Sequence, residues 1–276
     1  MIIADKYRII EEIGRGSFGT VYRGVYCKNE EMVAIKTEPL RTLSKLLKHE
    51  TRLLKYLHEK GCDFIPVVHW FGVDDEFTYL VMTCYECSLK DCFETVAKDE
   101  KLQKQIMRGC ISILEHIHKN FVVHRDIKPA NFMLKGRKLY IIDFGLATFF
   151  LDENREHISG TSSTIVGSLK YASYFIHDGC VNSRRDDLIS LGYMFLAISS
   201  HPDGLPWSDL CVLDDGKMQN SVFHSNNLLR KEMKSWNNLE GFCSNEKIRK
   251  YMEYCYSLKI DDTPLYDCLE KIFDTD

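Results

Sequence analysis

The sequence predicts an α+β fold, β-rich over the first ~85 residues and mostly helical from about residue 88. Three observations carry this. Short apolar runs with strand-like alternation fill the first part, the stretch 43–57 alone there has helical periodicity, and the later part contains long i, i+3, i+4 apolar stripes.

In chain order, Tyr7-Arg8-Ile9-Ile10 reads as a strand leading to a glycine cluster at 14–19. Val21, Arg23 and Val25 then alternate with Tyr22, Gly24 and Tyr26, and Met32-Val33-Ala34-Ile35-Lys36 forms another strand. Leu43, Leu46, Leu47, Glu50, Leu53, Leu54 and Leu57 share one helical face. A carboxylate at Glu50, inside a leucine stripe, requires a partner. Further on, Ile106, Cys110, Ile113, Leu114 and Ile117 mark an amphipathic helix, and Leu188, Leu191, Phe195 and Ile198 mark another. Leu139-Tyr140-Ile141-Ile142 is strand-like, and the Ser- and Thr-rich stretch 152–170 reads as a long surface loop.

Composition narrows the function classes. The 276 residues are 45% apolar and 28% charged, with 36 basic against 40 acidic side chains and a net charge of −4. That balance lacks the basic footprint of a dedicated nucleic-acid binder, so no nucleic-acid partner is expected. No apolar run approaches the roughly 18 residues needed for a membrane span, and charge at Asp5 and Lys6 leaves no apolar leader, so no membrane partner is expected either. The 11 cysteines have no framework spacing, which fits reduced thiols in the cytoplasm or nucleus. Cys84 and Cys87 form an isolated C-x-x-C; zinc would need a second pair or two histidines, so no metal role is assigned to it.

Gly14-Arg15-Gly16-Ser17-Phe18-Gly19 is a G-x-G-x-x-G that two phosphate-binding architectures could share. A dinucleotide fingerprint needs a helix after the last glycine, but Thr20–Tyr26 is β-branched, aromatic and alternating. A P-loop reading fails for want of Gly-Lys-[Ser/Thr]. A glycine-rich hairpin over phosphates remains. Val33-Ala34-Ile35-Lys36 follows it, Glu50 lies on the helix, and then come His124-Arg125-Asp126-Ile127-Lys128-Pro129-Ala130-Asn131 and Asp143-Phe144-Gly145. This ordered set resembles the protein kinase signature.

The resemblance implies a bilobal protein kinase fold, with an N-lobe at 1–82, a hinge at 83–87 and a C-lobe at 88–276. It implies ATP and Mg2+ as cofactors. Phosphoryl transfer asks chiefly for positioning and charge stabilisation, and the residues suit those tasks. Lys36 would hold the α- and β-phosphates with Glu50 orienting it. Asn131 and Asp143 supply hard oxygen donors for Mg2+. Asp126 would orient the substrate hydroxyl or accept its proton, and Lys128 would neutralise the γ-phosphate. His124 is expected to be a packed structural histidine. Residues Ile13 to Gly19 would cover the nucleotide, Val21, Ala34 and Met133 would sandwich the base, Met82 would back its pocket, and Thr83 and Tyr85 would offer hinge backbone groups.

Several segments narrow the branch. The usual Ala-Pro-Glu is replaced by Gly167-Ser168-Leu169-Lys170-Tyr171-Ala172-Ser173, followed by Ser183-Arg184-Arg185-Asp186-Asp187-Leu188-Ile189-Ser190-Leu191-Gly192-Tyr193. These segments, with Asn131-Phe132, Leu205-Pro206-Trp207 and Tyr254–Asp262, are similar to casein kinase I. The resemblance implies a serine/threonine protein kinase acting as a monomer on acidic or phospho-primed protein substrates. Lys170 and Lys217 are the candidate anion-site residues. Lysine at 170 keeps the charge of the family's usual arginine but loses its bidentate geometry. Asp152, Glu153 and Glu156 stand where the family is usually basic, so a weakened preference for primed sites is expected. The spacing from Asn131 to Asp143 is short, and no inhibitory tail follows Phe273, which suggests constitutive activity. A kinase-shaped binding module would typically lack one of Lys36, Asp126, Asn131 and Asp143, and all four are present. A small-molecule kinase would share the fold but not the casein kinase I segments.

Overall fold

The structure, a computed structural model, describes residues 1–16, 19–41, 45–199, 204–211 and 220–274. Ser17, Phe18, Leu43 and Lys217, all named above, lie outside the described residues. The chain forms two compact units, one of residues 1–87 with 133–146, the other of residues 88–132 with 147–276. The stretch 83–87 and the hairpin after Phe132 thus group with the β-rich unit.

The first unit is built on a six-stranded antiparallel sheet. Its strands are β1 (Ile2–Ile3), β2 (Tyr7–Gly16), β3 (Gly19–Tyr26), β4 (Glu31–Pro39), β5 (Val68–Val73) and β6 (Phe77–Thr83), in the order β1-β2-β3-β4-β6-β5. Strand β3 confirms the hairpin expected after the glycine cluster, with Gly16 paired to Gly19 and Arg15 to Thr20. Glycine at position 19 is dictated by a close approach, since a Cβ there would lie 1.9 Å from the Thr37 carbonyl oxygen. One sheet face packs Ile3, Tyr7, Val33, Ile35, Tyr79 and Val81 into a core edged by Trp70 and Phe77. Residues 34 and 36 alternate onto the opposite face.

Helix α1 (Leu46–Glu59) packs on β4, β5 and β6. Leu47, Leu53, Leu54 and Leu57 are buried in the expected stripe, and Glu50 is fully buried among them. Lys45, at the N-cap, supplies no side-chain cap. Instead Glu38, buried on β4, accepts the N–H groups of Leu46 at 3.0 Å and Leu47 at 3.4 Å, satisfying donors a helix start leaves open. A three-stranded sheet pairs β7 (Cys87–Ser88), β9 (Phe132–Lys135) and β10 (Lys138–Ile141), in the order β10-β9-β7.

The second unit is mainly helical: α2 (Phe93–Ala97), α3 (Glu100–Lys119), α4 (Tyr174–His177), α5 (Arg184–Ser199), α6 (Ser225–Met233), α7 (Trp236–Leu239), α8 (Glu246–Ser257) and α9 (Tyr266–Ile272). A two-stranded ribbon joins β8 (Val122–Val123) to β11 (Thr148–Phe149). Helix α3 has the expected amphipathic form, with Ile106, Cys110, Ile113, Leu114 and Ile117 buried. Helix α5 departs from expectation: it is buried on every side from Arg185 to Ile198, because α2, α3 and α8 all pack against it. Its stripe of Leu188, Leu191, Phe195 and Ile198 is one face of a central helix rather than the inner face of a surface one. The acids at its start therefore need internal partners. Asp186 accepts from the hydroxyls of Ser173 and Ser183, and Asp187 from backbone N–H groups described below. No helix among the described residues is long and apolar enough to cross a membrane.

Candidate active site

In the first unit, β4 carries Lys36, α1 carries Glu50, and the turn after β10 carries Asp143. The Lys36 ammonium lies 2.8 Å from Glu50 Oε2 and 2.7 Å from Asp143 Oδ1. The Phe144 N–H donates to the other Glu50 oxygen at 3.2 Å, which ties α1 to the Asp143–Gly145 turn. Burial opposes the charge on Lys36, but the carboxylates of Glu50 and Asp143 outweigh it and raise the ammonium's pKa. Complete burial pushes the Glu50 carboxyl up, against the pull of Lys36. The partner demanded by Glu50's place in the leucine stripe is Lys36.

Asp143 adopts a left-handed backbone, φ 69°, and Arg125 does the same at φ 68°. Such strain at non-glycine residues costs on the order of 1–3 kcal/mol each and persists where surrounding contacts enforce it.

The other nucleotide-site candidates of this unit share its sheet and turns. Cross-strand pairing of Val21 with Lys36 and of Ala34 with Met82 puts these four side chains on one face. Ile13 and Arg15 are exposed, and Arg15 is bridged to Glu12 at 2.7 Å. No described atom lies within 4 Å of a Cβ built at Gly14 or Gly16, so internal packing does not explain those glycines, while close approach of a phosphate would. The Thr83 N–H is committed to the Val67 carbonyl at 3.1 Å, which removes it as a donor to a base. The Tyr85 ring stacks on Tyr140 with centroids 4.7 Å apart, and Met133 sits half-buried on β9.

In the second unit, the loop after β8 presents Asp126, nine-tenths buried, with its carboxylate fully engaged. Oδ1 accepts from the Ser168 N–H at 2.9 Å and the Ser168 hydroxyl at 2.7 Å. Oδ2 accepts from Lys128 Nζ at 2.6 Å and Asn131 Nδ2 at 3.2 Å. Lys128 also reaches the Ser168 hydroxyl at 3.2 Å. Asn131 Nδ2 donates to the Asp126 carbonyl as well, at 2.8 Å, which commits its amide nitrogen and leaves Oδ1 as the ligand end of the side chain. Lys170 is half-buried, with its ammonium 5.7 Å from the centre of the Tyr171 ring.

The loop's backbone is held by a residue that sequence reasoning passed over. Asp187 accepts the N–H groups of His124 at 2.7 Å and Arg125 at 2.9 Å, and His118 Nε2 lies 3.0 Å from the same carboxylate. Burial opposes the charge on Asp187, but these hydrogen bonds win and hold its carboxyl below the usual range. His124 is fully buried, and its Nδ1 accepts the Asp126 N–H at 3.3 Å, a packed structural role. Ser168 and Gly167 were likewise unassigned. Gly167 has φ +89°, and a Cβ there would stand 2.2 Å from the Arg125 carbonyl oxygen. The clue to Asp187 was available, since a carboxylate amid the apolar residues of α5 poses the same question as Glu50.

The donor sets suit the implied cofactors. Asp143, with its side chain 40% exposed and one oxygen on Lys36, and Asn131, with its amide nitrogen spent, both offer hard oxygens of the kind Mg2+ prefers.

A family model described as the protein kinase domain matches residues 7–260, nearly the whole chain. The curled β-sheet unit and the helical unit agree with that family's bilobal fold. Membership implies ATP as phosphoryl donor and, typically, Mg2+. With the Lys36–Glu50–Asp143 cluster and the Asp126 loop in place, this chain belongs to the protein kinase family.

Proposed function

We propose that the chain is a serine/threonine protein kinase of the casein kinase I type, acting on protein substrates of acidic or phospho-primed context. The observation that carries this reading is the Asp126 carboxylate held jointly by Lys128 and Ser168. The lysine two residues after the catalytic aspartate fits transfer to aliphatic hydroxyls, and Ser168 belongs to the segment replacing Ala-Pro-Glu, one of those similar to casein kinase I.

In this reading Lys36 binds the α- and β-phosphates, and Glu50 keeps the ammonium extended and charged. Asp143 and Asn131 would hold Mg2+, which when bound supplies neutralisation of the phosphate oxygens. Asp126 orients the substrate hydroxyl and takes its proton as the oxygen bonds to the γ-phosphorus and the bond to the β-phosphate oxygen breaks. Lys128 moves from its pairing with Asp126 toward the transferring group and offsets its charge. Lys170 contributes to recognition of an upstream anion. Asp152, whose Oδ1 accepts the N–H groups of Asn154 and Glu156, lies in an exposed acidic turn with Glu153 and Glu156 that weakens attraction for a phosphate. The reading carries with it a monomer in the cytoplasm or nucleus, where ATP and reduced thiols coexist.

A phosphorylation profile on a degenerate peptide library tests it. Transfer to serine and threonine with acidic enrichment upstream is expected, and matched peptides should show only a modest gain from phosphoserine three residues upstream. Asp126→Asn should lower kcat by at least roughly 10²–10⁴-fold, and unchanged turnover would remove Asp126 from the chemistry.

A further inference from the structure

Lys234, which follows α6, is fully buried. An ammonium has three N–H donors, and three acceptors surround this one: the Leu169 carbonyl at 3.0 Å, the Ala172 carbonyl at 2.7 Å and His177 Nε2 at 3.1 Å. The faces of Tyr193 and Trp207 lie on it with ring centres at 5.1 and 5.0 Å. Burial, then the charges of Lys234 and Arg230, depress the His177 pKa to about 2, so its ring is neutral and its lone pair is available to the ammonium. Trp207, also fully buried, donates its indole N–H to the Lys170 carbonyl at 2.8 Å. The carbonyls of residues 169, 170 and 172 are thus all held by buried donors, in the segment that stands where Ala-Pro-Glu is missing. One residue earlier, Ser168 grips Asp126 through both its N–H and its hydroxyl.

We propose that Lys234, seconded by Trp207, is a positioning residue for the polypeptide substrate: it fixes residues 168–172 so that Ser168 meets Asp126 and the acceptor peptide is received on a rigid edge. This rests on the kinase reading above. A lysine kept only for stability would lower Tm when removed, because three buried acceptors lose their donor, but would leave the peptide kinetics of the folded protein unchanged. A lysine that sets the loop's position changes those kinetics as well.

Lys234→Met separates the two. The expected result is a folded protein with a lowered Tm, a roughly 10–100-fold lower kcat/KM for peptide at temperatures where the fold persists, an unaltered KM for ATP, and faster amide hydrogen exchange across residues 167–173. Unchanged peptide kinetics with unchanged exchange would overturn the proposal. Should Lys234→Met fail to fold, Trp207→Phe keeps a ring and deletes one donor. A raised peptide KM with faster exchange then supports the proposal, and no change in either overturns it. A wild-type chain that transfers no phosphate would defeat the kinase reading alone, because the exchange measurement needs no activity. Unaltered exchange over 167–173 in Lys234→Met would then defeat the positioning role separately.

Discussion

Lys36 pairs with both Glu50 and Asp143, so its removal is the one that leaves the buried Glu50 carboxylate uncompensated. Lys36→Met should leave Glu50 buried without its cation, and leaving one partner of a buried pair behind costs about 3–5 kcal/mol where the orphan stays charged. The Glu50 carboxyl can escape by protonation, so the expected outcome is a smaller loss in denaturant midpoint together with loss of ATP binding, read by urea titration and nucleotide binding on the same sample. Gly167→Ala should be more damaging than its size suggests, since its methyl would collide with the Arg125 carbonyl and its φ of +89° disfavours any side chain. Loss of phosphotransfer, with ATP affinity kept, is the outcome to look for, and normal turnover would show that the loop can shift. A charge in an apolar context made Glu50 legible, and the same clue stood unused at Asp187. Glu50 announced itself that way, whereas Ser168 and Gly167 did not, because a serine and a glycine in a polar loop have nothing to contradict.

Helix α1 depends on β4 at two places, through Lys36 with Glu50 and through Glu38 with the helix's first N–H groups. Residues 36 and 38 share a sheet face by the two-residue period, so one strand fixes both the start of the helix and its fifth residue. Glu38→Ala should cost about 0.5–2 kcal/mol, the range for loss of a helix cap. If a cap were its only role, an added Lys45→Asp would restore both melting temperature and KM for ATP. The expected result is recovery of the former with KM for ATP still raised, because a local cap does not tether the helix to the strand. At this scale the apolar stripes disclosed α1, α3 and α5, but the stripe of α5 showed only one of its buried faces. Its four-residue apolar stripe looks the same from either side, and only the packing of α2, α3 and α8 around it shows that its polar positions are buried too.

Across the whole molecule, buried neutral histidines contribute a loss of stability as the pH falls, opposed by the raised carboxyls of Glu50 and Asp186. His177 has its pKa depressed to about 2 from 6.5, and burial lowers that of His118 as well. Below pH 6.5 the unfolded chain takes up protons that these folded imidazoles refuse, so stability is full above that value and falls as pH drops toward the folded values. Each such group contributes a slope of up to about 1.4 kcal/mol per pH unit. Asp187 acts only further down, its depressed carboxyl losing stability as pH falls through its folded value, below 3.8. Urea unfolding between pH 7.5 and 5 should therefore show a falling midpoint, and His177→Gln should flatten that fall. An unchanged slope would mean that His177 takes a proton in the folded state.

The sequence alone determined the α+β class, the glycine hairpin, the helix bearing Glu50 and the ordered residues Lys36, Asp126, Lys128, Asn131 and Asp143. Those properties follow from local periodicity and from residue chemistry at short spacing. Tertiary structure alone decided that Asp187 holds the backbone of the Asp126 loop, that Glu38 starts α1, and that Lys234 lies beneath residues 169–172. In each case the partners are backbone N–H or carbonyl groups, which every residue carries. A side chain that recognises backbone selects no residue type in its partner, so that pairing becomes visible only once the chain has folded.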